Sequence, residues 1–483
     1  MQSTCRQTRI DLETQSQGLS GVERSEPPEN HRTLLGIYVS IVILLLLTSC
    51  APSPFEEWIE SRALERTTPT WRPARVTESS QRDDTLPIPN VPNTLTLREA
   101  VTLALLHNPQ LGAFAWDVRA AEALAIQAGI TPNPRVGYSA QNFGGPDSDD
   151  LFFAQTIRLS QVVELAEKRQ KRLDLARANQ RLTAWDYEAK RLEVVTQVAQ
   201  RHVTVIAAQE RLELAKRTLR LAEEVYAVVD QRVEAGVVPT AERDKAVVRV
   251  SLGRIARDRA GHALNAARQA LASTWAGSVP TFRQAVGELD EPIPVPNQKQ
   301  LMVLAKSHPR LARWSDEIEQ RHRAIELARA NGVPDITAGG GVRHFPDADD
   351  VAGIAEFSVP IPLFDRNQGE VLRVEYALGK AKALQQAAET TMREELAAAH
   401  ADLASAVFAL HTLRDETLLA ANSAFKAAKK AFESGQTDYI DALDAERTLV
   451  EVERQLLDTQ ESYQLSAARL EGLTAAPLER AMR

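Results

Sequence analysis

The chain has 483 residues, of which 44% are hydrophobic and only 5% aromatic, and its formal net charge is -8 at pH 7. Acidic and basic side chains are interspersed, which argues against a nucleic-acid surface because that would need a basic patch or stripe. Apolar residues recur at helical spacing, which argues against a disordered polyampholyte. The polar, Ala-rich, Arg/Glu-rich middle is equally unlike a compact two-layer core, although the length allows two ordinary domains.

The only cysteines are Cys5 and Cys50, so no disulfide framework stitches the chain after residue 50. His31 and Arg32 precede an apolar run from Leu34 to Leu47. Fourteen residues are short for a bilayer-crossing helix and suit the centre of an export signal. The tetrapeptide Leu47-Thr48-Ser49-Cys50 resembles the bacterial lipoprotein cleavage box, in which the cysteine thiol accepts diacylglycerol. That resemblance implies a lipidation site at Cys50, and Ala51 in place of an aspartate implies sorting to the outer membrane. An uncleaved amino-terminal membrane anchor is the alternative. Residues 1–49 are therefore expected to be an export signal with an unusual amino-terminal extension. Residues 50–93, rich in Pro, Ser and Thr without a steady period, read as a lipid-anchored periplasmic tether.

Beyond the tether the chain describes itself twice at an offset near 200 residues. His107-Asn108-Pro109-Gln110-Leu111 is echoed by Ser307-His308-Pro309-Arg310-Leu311, and Ala235-Gly236 by Ser434-Gly435. Ala128-Gly129-Ile130-Thr131-Pro132 returns as Ala330-Asn331-Gly332-Val333-Pro334. The expected organisation is a helix-strand-strand-helix repeat over 94–275, an equatorial linker over 276–297, a second repeat over 298–473 and a tail over 474–483. In the first repeat helices are expected over 97–129, 161–234 and 240–275, and in the second over 298–331, 367–433 and 437–471. Gly236 and Gly435 mark the hairpin turns, because glycine tolerates the left-handed backbone that ends a helix, and Pro239 suits a first helical turn. Each long helix approaches 100 Å at about 1.5 Å per residue. Leu173, Leu182, Leu192, Val198 and Val205 are candidates for seams between helices.

Four strands are expected, from Val136 to Phe143, Leu151 to Leu159, Ile336 to Phe345 and Ile354 to Ile361. Each is about the length of a tilted membrane strand. Gly339 and Gly341 would leave room in a lumen. Four strands cannot close a wide barrel, and open edges cannot face lipid with unpaired backbone groups, so identical chains must share one barrel.

The run Leu97-Arg98-Glu99-Ala100 to His107-Asn108-Pro109 and the segment Val359-Pro360-Ile361-Pro362-Leu363-Phe364-Asp365-Arg366-Asn367-Gln368-Gly369 resemble the TolC-like outer-membrane efflux factor family, in its CzcC-like cation-efflux lipoprotein branch. The second segment is similar to that family's strand-to-helix junction, where Pro360 and Pro362 obstruct further pairing and Asp365 can cap the new helix. The resemblance implies a mixed α/β, predominantly α fold. It implies a homotrimer with a twelve-strand outer-membrane beta-barrel, four strands per chain, continuing into a long periplasmic alpha-helical barrel. It also implies docking of the hairpin tips at Gly236 and Gly435 to a periplasmic adaptor protein, and an inner-membrane RND-type pump that supplies the energy.

No enzyme motif and no cofactor are expected. His202, His262, His322 and His400 are spread through helices rather than clustered, and no stable metal site is expected. Asp441 and Asp444 match the positions of aspartates that line the closed inner aperture in the family's best-known member. Their three-residue separation puts both on one helix face, although acids also suit an ordinary helix start. The corresponding stretch of the first repeat carries Glu242 and Lys245 instead. The expected function is an outer-membrane channel for heavy-metal cations. A drug-efflux or type I secretion duct and a non-conducting trimeric envelope scaffold lipoprotein are the alternatives.

Overall fold

The computed structural model describes residues 91–142, 153–289, 294–346, 348–434, 436–437 and 439–477, all within the unit Ser79–Arg483. Cys50, Gly435 and the acidic connection 144–150 lie outside the described residues.

The first half contains β1 (Thr94–Thr96), α1 (Leu97–His107), α2 (Pro109–Ala128), β2 (Arg135–Gln141), β3 (Ala154–Val163), α3 (Lys168–Glu234) and α4 (Thr240–Ala272), followed by a 3-10 turn at Ser273–Trp275. The second contains β4 (Gln284–Val286), α5 (Gln298–Ala305), α6 (Pro309–Asn331), β5 (Ile336–Phe345) and β6 (Asp350–Ser358). It ends with α7 (Gln368–His411), a π turn at Thr412–Thr417, α8 (Leu418–Glu433) and α9 (Tyr439–Thr474).

The helix expected over 97–129 is two helices, because Pro109 has no N–H to continue α1 and Asn108 before it is extended. Asn108 converts the break into a new start. Its Oδ1 accepts from the Leu111 N–H at 2.9 Å while its Nδ2 donates to the Thr274 carbonyl at 2.8 Å. At the other end of α1, Thr96 and Glu99 form a reciprocal capping box. The second half breaks the same way before Pro309. There His308 is the cap, its Nδ1 accepting from the Arg310 N–H at 3.0 Å.

The expected linker 276–297 and the start of the expected first repeat carry a strand pair that sequence reading did not find. β4 pairs in parallel with β1, setting Leu95 opposite Ala285. Leu95, Val198, Val205, Leu271, Trp275 and Phe282 bury together around that pair. Three-residue strands leave no periodic signature, which is why sequence pattern alone does not find them. A second core joins Leu301, Met392, Leu396, Leu403, Tyr463 and Leu470. Among the expected seam residues Leu182, Val198 and Val205 are buried, whereas Leu173 and Leu192 are half-buried. By length and composition the run Gln368–Glu433 is apolar enough to cross a bilayer. Yet much of that hydropathy is alanine, and Leu396, Leu403 and Leu410 pack in the second core.

The larger sheet has the order β2-β3-β5-β6, every pair antiparallel, with β2 and β6 at its edges. β3 continues four residues past the expected Leu159 because it pairs with β5 as far as Val163 opposite Ile336. Consequently α3 starts at Lys168 rather than near 161. β6 stops at Ser358 rather than Ile361, short of the two prolines that cannot donate to a ladder.

His308 supplies a pH test. Burial, reinforced by the neighbouring Arg310 charge, lowers its pKa to about 4 from an ordinary 6.5. Only the neutral ring can accept from Arg310 N–H. The unfolded chain takes up the proton near 6.5 and the folded chain near 4, so stability is full above 6.5 and falls as pH drops through that window. His202, also lowered by burial, acts in the same direction. His308→Asn, which installs the cap residue of the first half, is expected to keep folding at pH 7. It should recover about 1–3 kcal/mol of the stability lost by pH 4.5, read as a smaller drop in melting temperature than in the unmodified protein.

Candidate functional site

The four-stranded sheet has two chemically different faces, fixed by its register. Val136, Tyr138, Ile157, Leu159, Val342 and Phe357 point to one side, and Val136 and Phe357 are 74% and 78% exposed. Arg135, Ser139, Thr156, Arg158, Ser160, Arg343 and Glu356 share the other. Alternating apolar and polar residues on strands of seven to ten residues match a membrane wall with lipid outside and water inside.

On the polar face Arg158 of β3 reaches Glu356 of β6 at 2.7 Å, passing over β5. β5 presents Gly339 and Gly341 there, so no side chain stands in the way. These glycines were expected to leave lumen space. Part of that space is filled by β3, because a Cβ on Gly341 would collide with the Ile157 carbonyl and come within 2.8 Å of the Arg158 Cβ.

Where strands give way to helices, Asp335 is the organising group. It accepts from Lys168 Nζ at 2.7 Å and from the Leu165 N–H at 3.0 Å. Burial alone would raise its pKa, but the Lys168 and Leu165 hydrogen bonds hold the carboxyl below its ordinary range. Arg172 and Glu164 pair alongside. Sequence reading missed Asp335, and its position just after Val333-Pro334 is the only local signal it gives.

At the second junction Pro360 is exposed and Pro362 half-buried. Asp365, expected to cap α7, does not: it accepts from the Asn367 N–H at 2.9 Å, before the helix proper. Asn367 is the residue that precedes α7, in left-handed backbone at φ 61°, and its Nδ2 donates to the Ala328 carbonyl at 2.7 Å. The carboxylate is used to hold the tight turn, so it is unavailable to the helix N-terminus. Ile361, Leu363 and Phe364 project from this turn, Phe364 being 89% exposed.

The first hairpin tip closes on Gly236 at φ 67°. Gly236 N–H donates to the Val233 carbonyl and Val237 N–H to the Arg232 carbonyl, the paired bonds of a Schellman ending. Pro239, expected inside the first turn, is extended and lies just before α4. At the second tip Gln436 N–H donates to the Ala431 carbonyl at 2.9 Å, the counterpart of the Val237 bond.

Asp441 and Asp444 are both exposed at the start of α9, and neither is in an ion pair among the described residues. The neighbouring Leu443 and Glu446 are buried. Glu446, which sequence reading did not single out, accepts from Arg249 of α4 at 3.0 Å. Arg232 of α3 lies 4.4 Å over the Phe432 ring of α8 and donates to its carbonyl at 3.2 Å. One chain thus ties its two hairpins together through the buried Glu446 and Phe432, and the aspartate pair takes no part in this tie among the described residues. In the first tip Glu242 pairs with Lys245 at 2.9 Å, and Arg243 with Asp230 at 2.6 Å.

Among the described residues no group of three or more His, Cys, Asp or Glu is placed to hold a metal. His202 is buried against the Leu95 carbonyl at 3.2 Å and His400 contacts the Pro296 carbonyl at 3.0 Å, so both brace helices against the adjoining chain.

Known proteins share this architecture. The profile of the outer membrane efflux protein family matches residues 100–277 and again 302–476. The chain is 29% identical over 359 residues to the cobalt-zinc-cadmium resistance protein CzcC of Cupriavidus metallidurans, covering 74% of this chain and 84% of that one. A solved membrane protein from Pseudomonas aeruginosa superposes with a TM-score of 0.67 at 22% identity, over 79% of this chain and 90% of the other. Structures of CusC, described in terms of folding and transmembrane channel formation, superpose with a TM-score of 0.62 at 20% identity, over 79% and 92% of the two chains. With the two family matches each spanning one strand pair of the two-faced sheet and the helices around it, the chain belongs to the outer membrane efflux protein family.

Proposed function

We propose that three copies of this chain form the outer-membrane duct of a tripartite system exporting heavy-metal cations, joined to a periplasmic adaptor and an inner-membrane RND-type pump. The observation that carries this reading is the sheet with an apolar face, a polar face and two unpaired edges, β2 and β6. Edge N–H and C=O groups cannot be left bare in hydrocarbon, where each costs several kcal/mol. Joining β6 of one copy to β2 of the next removes every edge, and three copies supply twelve strands. The family profile matching once in each half supports an internally duplicated chain divided as 94–275 and 298–473. Relatedness to a cobalt-zinc-cadmium resistance protein supports metal cations as cargo.

In this reading the junction of Pro360, Pro362 and Asp365 turns strand into helix at the periplasmic membrane boundary. Gly236 and Gly435 sit at the tips that meet the adaptor, and lipid on Cys50 is a second attachment. Native mass measurement after detergent extraction should show a trimer, and the same material should conduct in planar bilayers. A stable monomer would remove the reading, and a trimer without conductance would replace it with the trimeric scaffold. Mass spectrometry of the mature amino terminus should find acylated Cys50 as the first residue, and Cys50→Ala should abolish the modification while leaving conductance within about twofold, since the barrel inserts independently.

The exposed Asp441 and Asp444 would gather as two rings of three carboxylates at the periplasmic aperture. Such rings attract cations and are weak enough to release them. Asp441→Asn with Asp444→Asn is expected to preserve assembly and to lower cation preference by about threefold, with weaker divalent block. Unchanged selectivity and block in assembled channels would return the pair to ordinary solvated helix-start residues.

A further inference from the structure

The same sheet holds an electrostatic feature of opposite sign to the aperture. Among the described residues, the polar face carries Arg135, Arg158 and Arg343 against Glu356, with Asp350 at the end where β6 begins. Only Arg158 is neutralised, by Glu356 at 2.7 Å. Arg343 donates from Nε to the Thr156 hydroxyl at 3.1 Å and meets no carboxylate among the described residues. Arg135, exposed at the start of β2, has no acidic partner there either. The Asp350 carboxylate accepts from the N–H of Val351 at 2.7 Å and makes no ion pair with Arg343.

The register also fixes where these groups stand. Arg135 lies level with Ser160, Gly339 and Glu356, and Arg343 level with Thr156, Ser139 and Ala352, four residue pairs further along. Glycine, serine, threonine and alanine share the rungs of the guanidiniums; Phe345 and Ile354 stand on the same face beside the half-buried Arg343, and Arg135 is exposed to the water the polar face encloses. Hydration lowers the cost of keeping an arginine unpaired, but its long-range field persists, since a guanidinium does not lose its proton at any working pH.

We propose that Arg135 and Arg343 form an anion-attracting collar inside the barrel, which binds small inorganic anions transiently and disfavours free cations in the outer part of the duct. This rests on the barrel reading given above. Each chain contributes two guanidiniums with no carboxylate of its own chain among the described residues, six around one lumen in three copies against three Asp350 carboxylates; the next copy's β6 brings Glu356 toward Arg135, but that carboxylate is already held by Arg158 of its own chain. Rings of arginine or lysine select anions in pores by the same electrostatics that lets acidic rings select cations. The duct therefore changes sign along its length: carboxylates at the aperture admit cations delivered by the pump, and guanidiniums in the barrel hold anions that screen them on exit. With the pump idle, the collar raises the barrier that an external cation meets on the way back toward the periplasm.

The test is single-channel recording of the full-length protein under a potassium chloride gradient. The double variant Arg135→Gln with Arg343→Gln is expected to raise the potassium-to-chloride permeability ratio by about threefold or more, the opposite direction from the aspartate variants. Arg135→Lys with Arg343→Lys should keep the unmodified ratio, because charge and not guanidinium shape sets the field. Hexacyanoferrate(II), a tetravalent anion, should block the unmodified channel when added on the barrel side, which gives a readout that needs no variant. Conducting Gln variants with an unchanged ratio, or a channel insensitive to hexacyanoferrate(II) from that side, would overturn the collar while leaving the duct intact. Absence of any channel from the unmodified protein would overturn the duct and the collar together.

Discussion

The constraint on which this structure turns is that a backbone in hydrocarbon must find partners for all its hydrogen-bonding groups. Four strands satisfy the three ladders between them and leave the outer edges of β2 and β6 without partners in the chain. In the proposed duct the lone chain is an incomplete wall, and closure by further copies obeys the same rule that makes each ladder form. The helices face a milder form of the same problem. α3 is 67 residues long and bears a thin set of buried residues along its length, so it depends on neighbours laid along it rather than on a core of its own.

Sheet and helices require different backbone twists, and the chain passes between them by small polar devices. Asp335 collects Lys168 and Leu165 at one crossing, and Asn367 reaches back to Ala328 at the other. Both crossings place non-glycine residues in left-handed backbone, Glu167 before α3 and Asn367 before α7. Such positions are uncommon and persist where surrounding contacts fix them. Gly332 belongs to the same arrangement, since an added Cβ would come within 2.6 Å of the Arg366 carbonyl.

Charge is used differently in different parts of the molecule. At the tips the Arg249–Glu446 pair is buried, and breaking one partner there would strand the other away from water. Asp441 and Asp444 flank the buried Leu443 on the same helix as Glu446, yet both are exposed and neither makes an ion pair among the described residues. On the polar face of the sheet the balance shifts to arginine. In the proposed duct these are separate solutions to one requirement: a wall that holds together through buried or compensated charge while presenting uncompensated charge along the ion path.

Much of this was legible from residues alone. Glycine at 236 and the doubled order of elements mark turns and repeats because those residues act through their own backbone geometry, whereas the helices expected over 97–129 and 298–331 run through Pro109 and Pro309, where the structure breaks both. β5 was placed to the residue, from Ile336 to Phe345, by turn residues on both sides. Tertiary structure decided what depends on a partner distant in the chain. The parallel β1–β4 pair joins residues some 190 positions apart in strands too short to carry a period. The true end of β3 was set by pairing with β5, and Asp365 was diverted from capping a helix to tying a turn. Glu446 looked like one more helical acid until Arg249 was found beside it. Sequence fixes what a residue can do through its own backbone and its near neighbours; which carboxylate is buried, which arginine stays unpaired and which face of a strand meets lipid are settled only when distant segments are brought together.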